Sequence, residues 1–78
     1  MNTTHHEYRG YVFSIDYEAK EPVYTVSFAD FSEIITSGDT LSEAFANACE
    51  ALDLHLESLH KLRKRVPKPR HSLMVQSQ

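Results

Sequence analysis

Between residues 41 and 62, apolar side chains recur at Leu41, Ala44, Phe45, Ala48, Leu52, Leu56, Leu59 and Leu62. That alternation of three- and four-residue steps marks one face of a helix. Ser42, Glu43, Asn47, Glu50, Asp53 and Glu57 fall on the rest of its circumference. The pattern predicts one helix over about 41–63, roughly 33 Å long at ~1.5 Å per residue. A lone amphipathic helix draws its stability from the surface it covers. In a chain of 78 residues with no second stripe, that surface has to come from the residues upstream.

Those residues alternate with a period of two, which marks half-buried strands. Tyr11, Phe13, Ile15 and Tyr17 share one face of a first segment, about 8–17. Tyr24, Val26 and Phe28 share one face of a second, about 23–29, and the charged, proline-containing Glu18-Ala19-Lys20-Glu21-Pro22 between them reads as a hairpin connection. Ile34 to Ser37 form a short third strand. The expected fold is one α/β (α+β) domain over 8–76, with a three- to four-stranded, mainly antiparallel sheet covered by the helix. Residues 1–7 are expected to be a flexible N-terminus, and 71–76, where Leu73 and Val75 alternate, an edge strand.

The junction Ser37-Gly38-Asp39-Thr40 carries the clearest local grammar. Gly38 is expected to let the chain turn out of the strand. Thr40 and Glu43 have capping-box spacing, with Thr40 accepting from the amide of 43 and Glu43 reaching back to the amide of 40. Asp39 complements the positive end of the helix dipole. A phosphate cradle would need more glycines and a lysine, and Asp39 would repel the anion. Turn and cap account for all four residues. At the other end, Pro67 is expected to stop the helix.

The remaining chemistry is sparse. One cysteine, Cys49, excludes an internal disulfide, fits a reducing, cytoplasmic location, and reads as a small buried side chain. No Cys/His spacing suggests zinc, and no cofactor is expected. His55 and His60 are five residues apart and do not share a helix face. Asp16, Asp30 and Asp39 could serve a metal-dependent nuclease only if they converge. Charge is divided unevenly: residues 1–60 carry all eleven carboxylates against Arg9 and Lys20, a net −9. Lys61, Arg63, Lys64, Arg65, Lys68 and Arg70 form a basic segment without an acid or an aromatic. That segment could touch nucleic acid, although it offers no ring on which a base could stack. The acidic part should repel nucleic acid and attract a basic protein.

Taken in order, Val26-Ser27-Phe28 with Asp30, Gly38-Asp39-Thr40, Glu43-Ala44, Asn47-Ala48, Glu50-Ala51-Leu52 and Pro67-Lys68-Pro69 resemble the HicB family of antitoxins. The resemblance covers about residues 8–70. It implies a partial, degraded RNase H-like domain of order β-β-β-α-β. It also implies a non-enzymatic role in which the protein blocks a small, basic HicA-type mRNA interferase. Where the family carries Phe-Pro-Asp and a Pro-Gly turn, this chain has Phe28-Ala29-Asp30 and Phe31-Ser32-Glu33. Longer members add a DNA-binding domain, and none is expected here. On this reading the toxin would meet Asp30, Glu33, Glu50, Asp53 and Glu57. A homodimer is expected to cover the half-polar outer sheet face formed by Val12, Ser14, Val23 and Thr25.

Overall fold

The computed structural model describes residues 3–68. Four strands, β1 (Thr3–Tyr8), β2 (Tyr11–Glu18), β3 (Val23–Phe28) and β4 (Ile35–Gly38), are followed by one helix, α1 (Leu41–Lys61). The strands lie side by side in chain order, every neighbouring pair antiparallel. The result is an α+β fold, a four-stranded meander with one long helix laid on one face.

β1 replaces most of the expected flexible N-terminus. Its side chains are polar on both faces, so it lacks the apolar alternation that reveals β2 and β3. The turn that creates it is local. Arg9 and Gly10 both have positive φ, 57° and 86°, between the paired residues Tyr8 and Tyr11. Two left-handed residues give the reversed turn whose twist matches a tight hairpin. Tyr8 therefore ends one strand and Tyr11 begins the next. The edge strand expected over 71–76, which would follow the helix, lies outside the described residues.

The core is built from Tyr11, Phe13 and Ile15 of β2, Val26 and Phe28 of β3, and Ala44, Ala48, Leu52 and Leu56 of α1. Ala44, Ala48 and Leu52 are fully buried, because alanines in the first turns let the helix axis approach the sheet. Phe31 and Ile34, from the β3–β4 loop, complete this core at 1% and 7% exposure. Phe31 stands 5.2 Å from the Tyr11 ring and pins the loop under the helix. No described polar or charged side chain is buried. The other ends of the predicted stripe stay wet: Leu41, Phe45 and Leu62 are exposed, the last at 62%.

The β4–α1 junction differs in two details from the sequence expectation. Thr40 is the N-cap, its Oγ1 accepting from the Glu43 amide at 3.0 Å. Glu43, however, accepts from the amide of Asp39 at 2.6 Å, one residue earlier than the capping-box pattern places it. Gly38 is buried, and only Gly10 has a positive φ among the described glycines. Gly38 is needed for space instead, since a Cβ there would stand 2.4 Å from the Ala44 nitrogen. The helix also stops before Pro67 can act. Lys64 donates to the Leu59 carbonyl at 2.9 Å and Arg63 to that of His60 at 3.1 Å. With Arg63 at φ 58°, this is a Schellman termination built without glycine.

Candidate partner-binding surface

Helical geometry, about 100° per residue, sorts the polar side chains of α1 into a crest and two flanks. Glu43, Glu50 and Glu57 are spaced by seven and run along the exposed crest, away from the sheet. Asp53 turns toward β1, and Asn47 and His55 turn toward β4.

Each flank is tied down. On the β1 side, Asp53 accepts from Arg9 at 2.7 Å and from the Tyr8 hydroxyl at 3.0 Å. The bond to Asp53 raises the Tyr8 pKa, because the carboxylate favours the protonated phenol. The Tyr11 hydroxyl donates to the Pro67 carbonyl at 2.6 Å and holds the segment after the helix against the hairpin. These groups border a cavity of about 710 Å³, lined by Arg9, Tyr11, Asp53, Glu57, His60 and Val66 among others. On the β4 side, Asn47 donates to the Ser37 carbonyl at 2.8 Å, and His55 meets Glu33 at 2.8 Å. His55 also stands edge-on to Phe31 at 5.2 Å. The Glu33 carboxyl is lowered, first by hydrogen bonding to its own backbone and then by His55.

The five acids assigned to the partner are therefore not one patch. Glu50 and Glu57 belong to the crest, Asp53 to the β1 flank, and Glu33 to the β4 flank, while Asp30 lies half-buried in the β3–β4 loop. Three have a cation or histidine beside them: Arg9 at Asp53, Lys61 at Glu57 (3.8 Å), and His55 at Glu33. Glu50 makes no such contact among the described residues. Exposed pairs of this kind contribute little to stability.

The basic side chains of Lys61, Arg63, Lys64, Arg65 and Lys68 are exposed at and beyond the helix end, and Arg70 lies outside the described residues. The convergence required of a two-metal nuclease is not formed. Asp16 sits on the open face of the sheet, bonded to Thr3, and Asp39 sits at the helix N-terminus. Among the described residues, no three His, Cys, Asp or Glu side chains are placed to hold a metal ion. Burial raises the Cys49 thiol, which suits a packing role rather than a nucleophile. No described helix is long and apolar enough to cross a membrane.

Sequence reasoning missed Tyr8 and Arg9 as partners of Asp53, since the pattern reads residues 8–10 as the start of one strand over 8–17 rather than as the end of β1 and a turn. It also missed Phe31 as the anchor of the loop, for which the one available signal was an aromatic between two polar residues.

Comparison with known proteins gives these features a context. One relative, an uncharacterised 14.9 kDa protein from the rep-hol intergenic region of Haemophilus phage HP1, is 42% identical over 45 residues. The aligned part covers 58% of this chain but 34% of the phage protein, so the chain spans about a third of that relative. No solved structure matches. A family model described as the HicB-like antitoxin of bacterial toxin-antitoxin systems matches residues 11–78, which takes in β2 through α1 and the basic segment. This chain, with an acidic helix crest on a small sheet, thus belongs to the HicB-like antitoxin family.

Proposed function

We propose that this protein neutralises a HicA-type mRNA interferase by occupying the surface on which that toxin binds RNA. The family assignment supports a toxin-antitoxin role and a toxin partner. The observation that carries the finer reading is the excess of negative charge, eleven carboxylates against two cations over residues 1–60. An RNA-cleaving toxin has to present a basic surface to phosphates, and an acidic partner competes for it and is steered toward it. The contact acids are Glu50 and Glu57 of the crest together with Asp30, Glu33 and Asp53. Inhibition is by occlusion, so the antitoxin needs no catalytic group of its own. The protein acts in the cytoplasm, where messenger RNA is degraded.

A homodimer fits the same reading. The sheet face opposite α1 carries Val12, Ser14, Val23 and Thr25, and a second copy would cover it. Light scattering tests this directly, and a monomer at every concentration would rule it out.

The functional test is co-expression with the protein encoded in the adjacent reading frame. The toxin-type neighbour alone should arrest growth, and this chain should restore it. Reversing Glu50 and Glu57 to Lys should weaken rescue while leaving the fold intact, because both side chains are exposed. Unchanged rescue by that variant would remove the electrostatic mechanism. Affinity of the pure chain for RNA that falls with salt and requires Lys61 to Arg70 would instead favour a nucleic-acid-binding accessory.

A further inference from the structure

β4 leaves one backbone edge open to another chain. The Ala29 amide donates to the Val12 carbonyl at 3.1 Å, which sets the phase of the ladder. Antiparallel pairs alternate between bonded and non-bonded, so Ser14↔Ser27 and Asp16↔Thr25 are bonded pairs between β2 and β3. Val26↔Thr36 and Tyr24↔Gly38 are then the bonded pairs between β3 and β4. It follows that the amides and carbonyls of Ile35 and Ser37 point away from the sheet. Asn47 satisfies the Ser37 carbonyl. Among the described residues, no bond is formed by the other three outward groups.

The surroundings of this edge are apolar as well as open. Ile35 is 84% exposed and Leu54 is 59% exposed. A groove of about 360 Å³ runs from Ile34 and Ile35 to Ala51, Leu54 and Ser58, with Glu33 at its rim. It meets a second groove, about 310 Å³, that continues past Glu57 and Lys61 to Leu62. Leu54 and Ser58 belong to both, so a continuous track follows the β4 flank of α1.

Resting on the toxin reading for the partner's identity, we propose that this track takes up an extended segment of the basic partner, which adds a strand beside β4. Backbone pairing comes from Ile35 and Ser37, an apolar side chain of the segment covers Leu54, and its Lys or Arg side chains meet Glu33 and Glu57. β4 is only four residues long, so backbone bonds alone give little affinity and the flank supplies the rest. Charge argues against a second copy here. A symmetric pairing would bring the Glu33 and Glu57 carboxylates of two chains to the same edge, whereas the Lys or Arg side chains of a basic segment would share those carboxylates with His55 and Lys61.

The test is amide hydrogen exchange on the full chain, alone and with the product of the adjacent reading frame made catalytically inactive. Exchange at Ile35 and Ser37 should slow by about tenfold or more in the complex, as expected when free edge amides enter a ladder. Ile35→Lys and Leu54→Lys should each weaken binding by about tenfold. Both sites are exposed, so the melting temperature should stay within about 2 °C. A complex in which those amides exchange as in the free chain, and which Ile35→Lys leaves unaffected, overturns this docking mode while the toxin reading stands. Protection that appears in the chain alone as its concentration rises assigns the edge to a second copy and overturns the basic occupant. Failure to form any complex defeats the toxin reading and this inference with it.

Discussion

Replacing Gly38 with Ala probes the closest approach in the molecule. Gly38 is buried at the end of β4, and the first turn of α1 crosses directly over it. An added Cβ would lie 2.4 Å from the Ala44 nitrogen, 2.8 Å from its Cα and 2.9 Å from the Glu43 carbonyl carbon. All three are backbone atoms, so no side chain can swing away. To reach an ordinary separation the helix start has to lift by roughly 1 Å, and overpacking of this kind costs about 1–3 kcal/mol. The upper half of that range applies, because lifting α1 also strains the Thr40 cap and the Asn47–Ser37 bond. A domain of this size loses about 4–8 °C of melting temperature per kcal/mol, so Gly38→Ala should melt about 8–24 °C lower. Circular dichroism on the two proteins measures it. Asparagine separates steric from conformational causes. It tolerates the left-handed region, so Gly10→Asn, at φ 86°, should cost little, whereas Gly38→Asn should be at least as damaging as alanine. A Gly38→Ala protein within about 2 °C of wild type would refute the steric account.

Other substitutions test other joints. Arg63→Gly should stabilise the chain by about 0.5–1 kcal/mol, because φ 58° is adopted more readily by glycine; thermal melts would show it. Phe31→Ala removes a side chain that is 1% exposed and should cost about 3–5 kcal/mol, with the β3–β4 loop becoming protease-sensitive first. Burial beside Phe13 and Phe45, and secondarily His5, lowers the His6 pKa from 6.5. The folded state then holds fewer protons than the unfolded one just below pH 6.5, so this contribution is full above that value and is lost as the pH falls through the folded pKa. Urea melts should show wild type losing more stability between pH 7.5 and 5 than His6→Phe does.

The helix and the two central strands could be read from the sequence because burial on one side leaves a periodic trace. Leu52, Leu56 and the alanines share a helical face, and Phe13, Ile15, Val26 and Phe28 alternate. β1 left no such trace. It is an edge strand whose Thr, His and Glu side chains are mostly wet, and what specifies it is the Arg9-Gly10 turn. The importance of Gly38 could be read, but not its cause, since a sequence does not tell a left-handed turn from a close crossing. Ile35 looks like a core residue in a linear pattern and is exposed because, paired with Ser27, it lies on the sheet face opposite α1. The candidate surface was legible in its sign. Which carboxylates share a flank is fixed by where the helix lies, and Asp53 meets Arg9 only through a hairpin that pattern alone did not reveal.

Strand order that follows chain order also bears on how the molecule assembles. Each new strand zips onto the one made just before it, across connections of two to six residues, and α1 then closes over the finished face. Little loop entropy is lost at any of these steps, and among the described residues no strand waits for a distant mate. Acquisition of the native state should accordingly be quick for a sheet protein, with single-exponential refolding and no slow phase from strand threading.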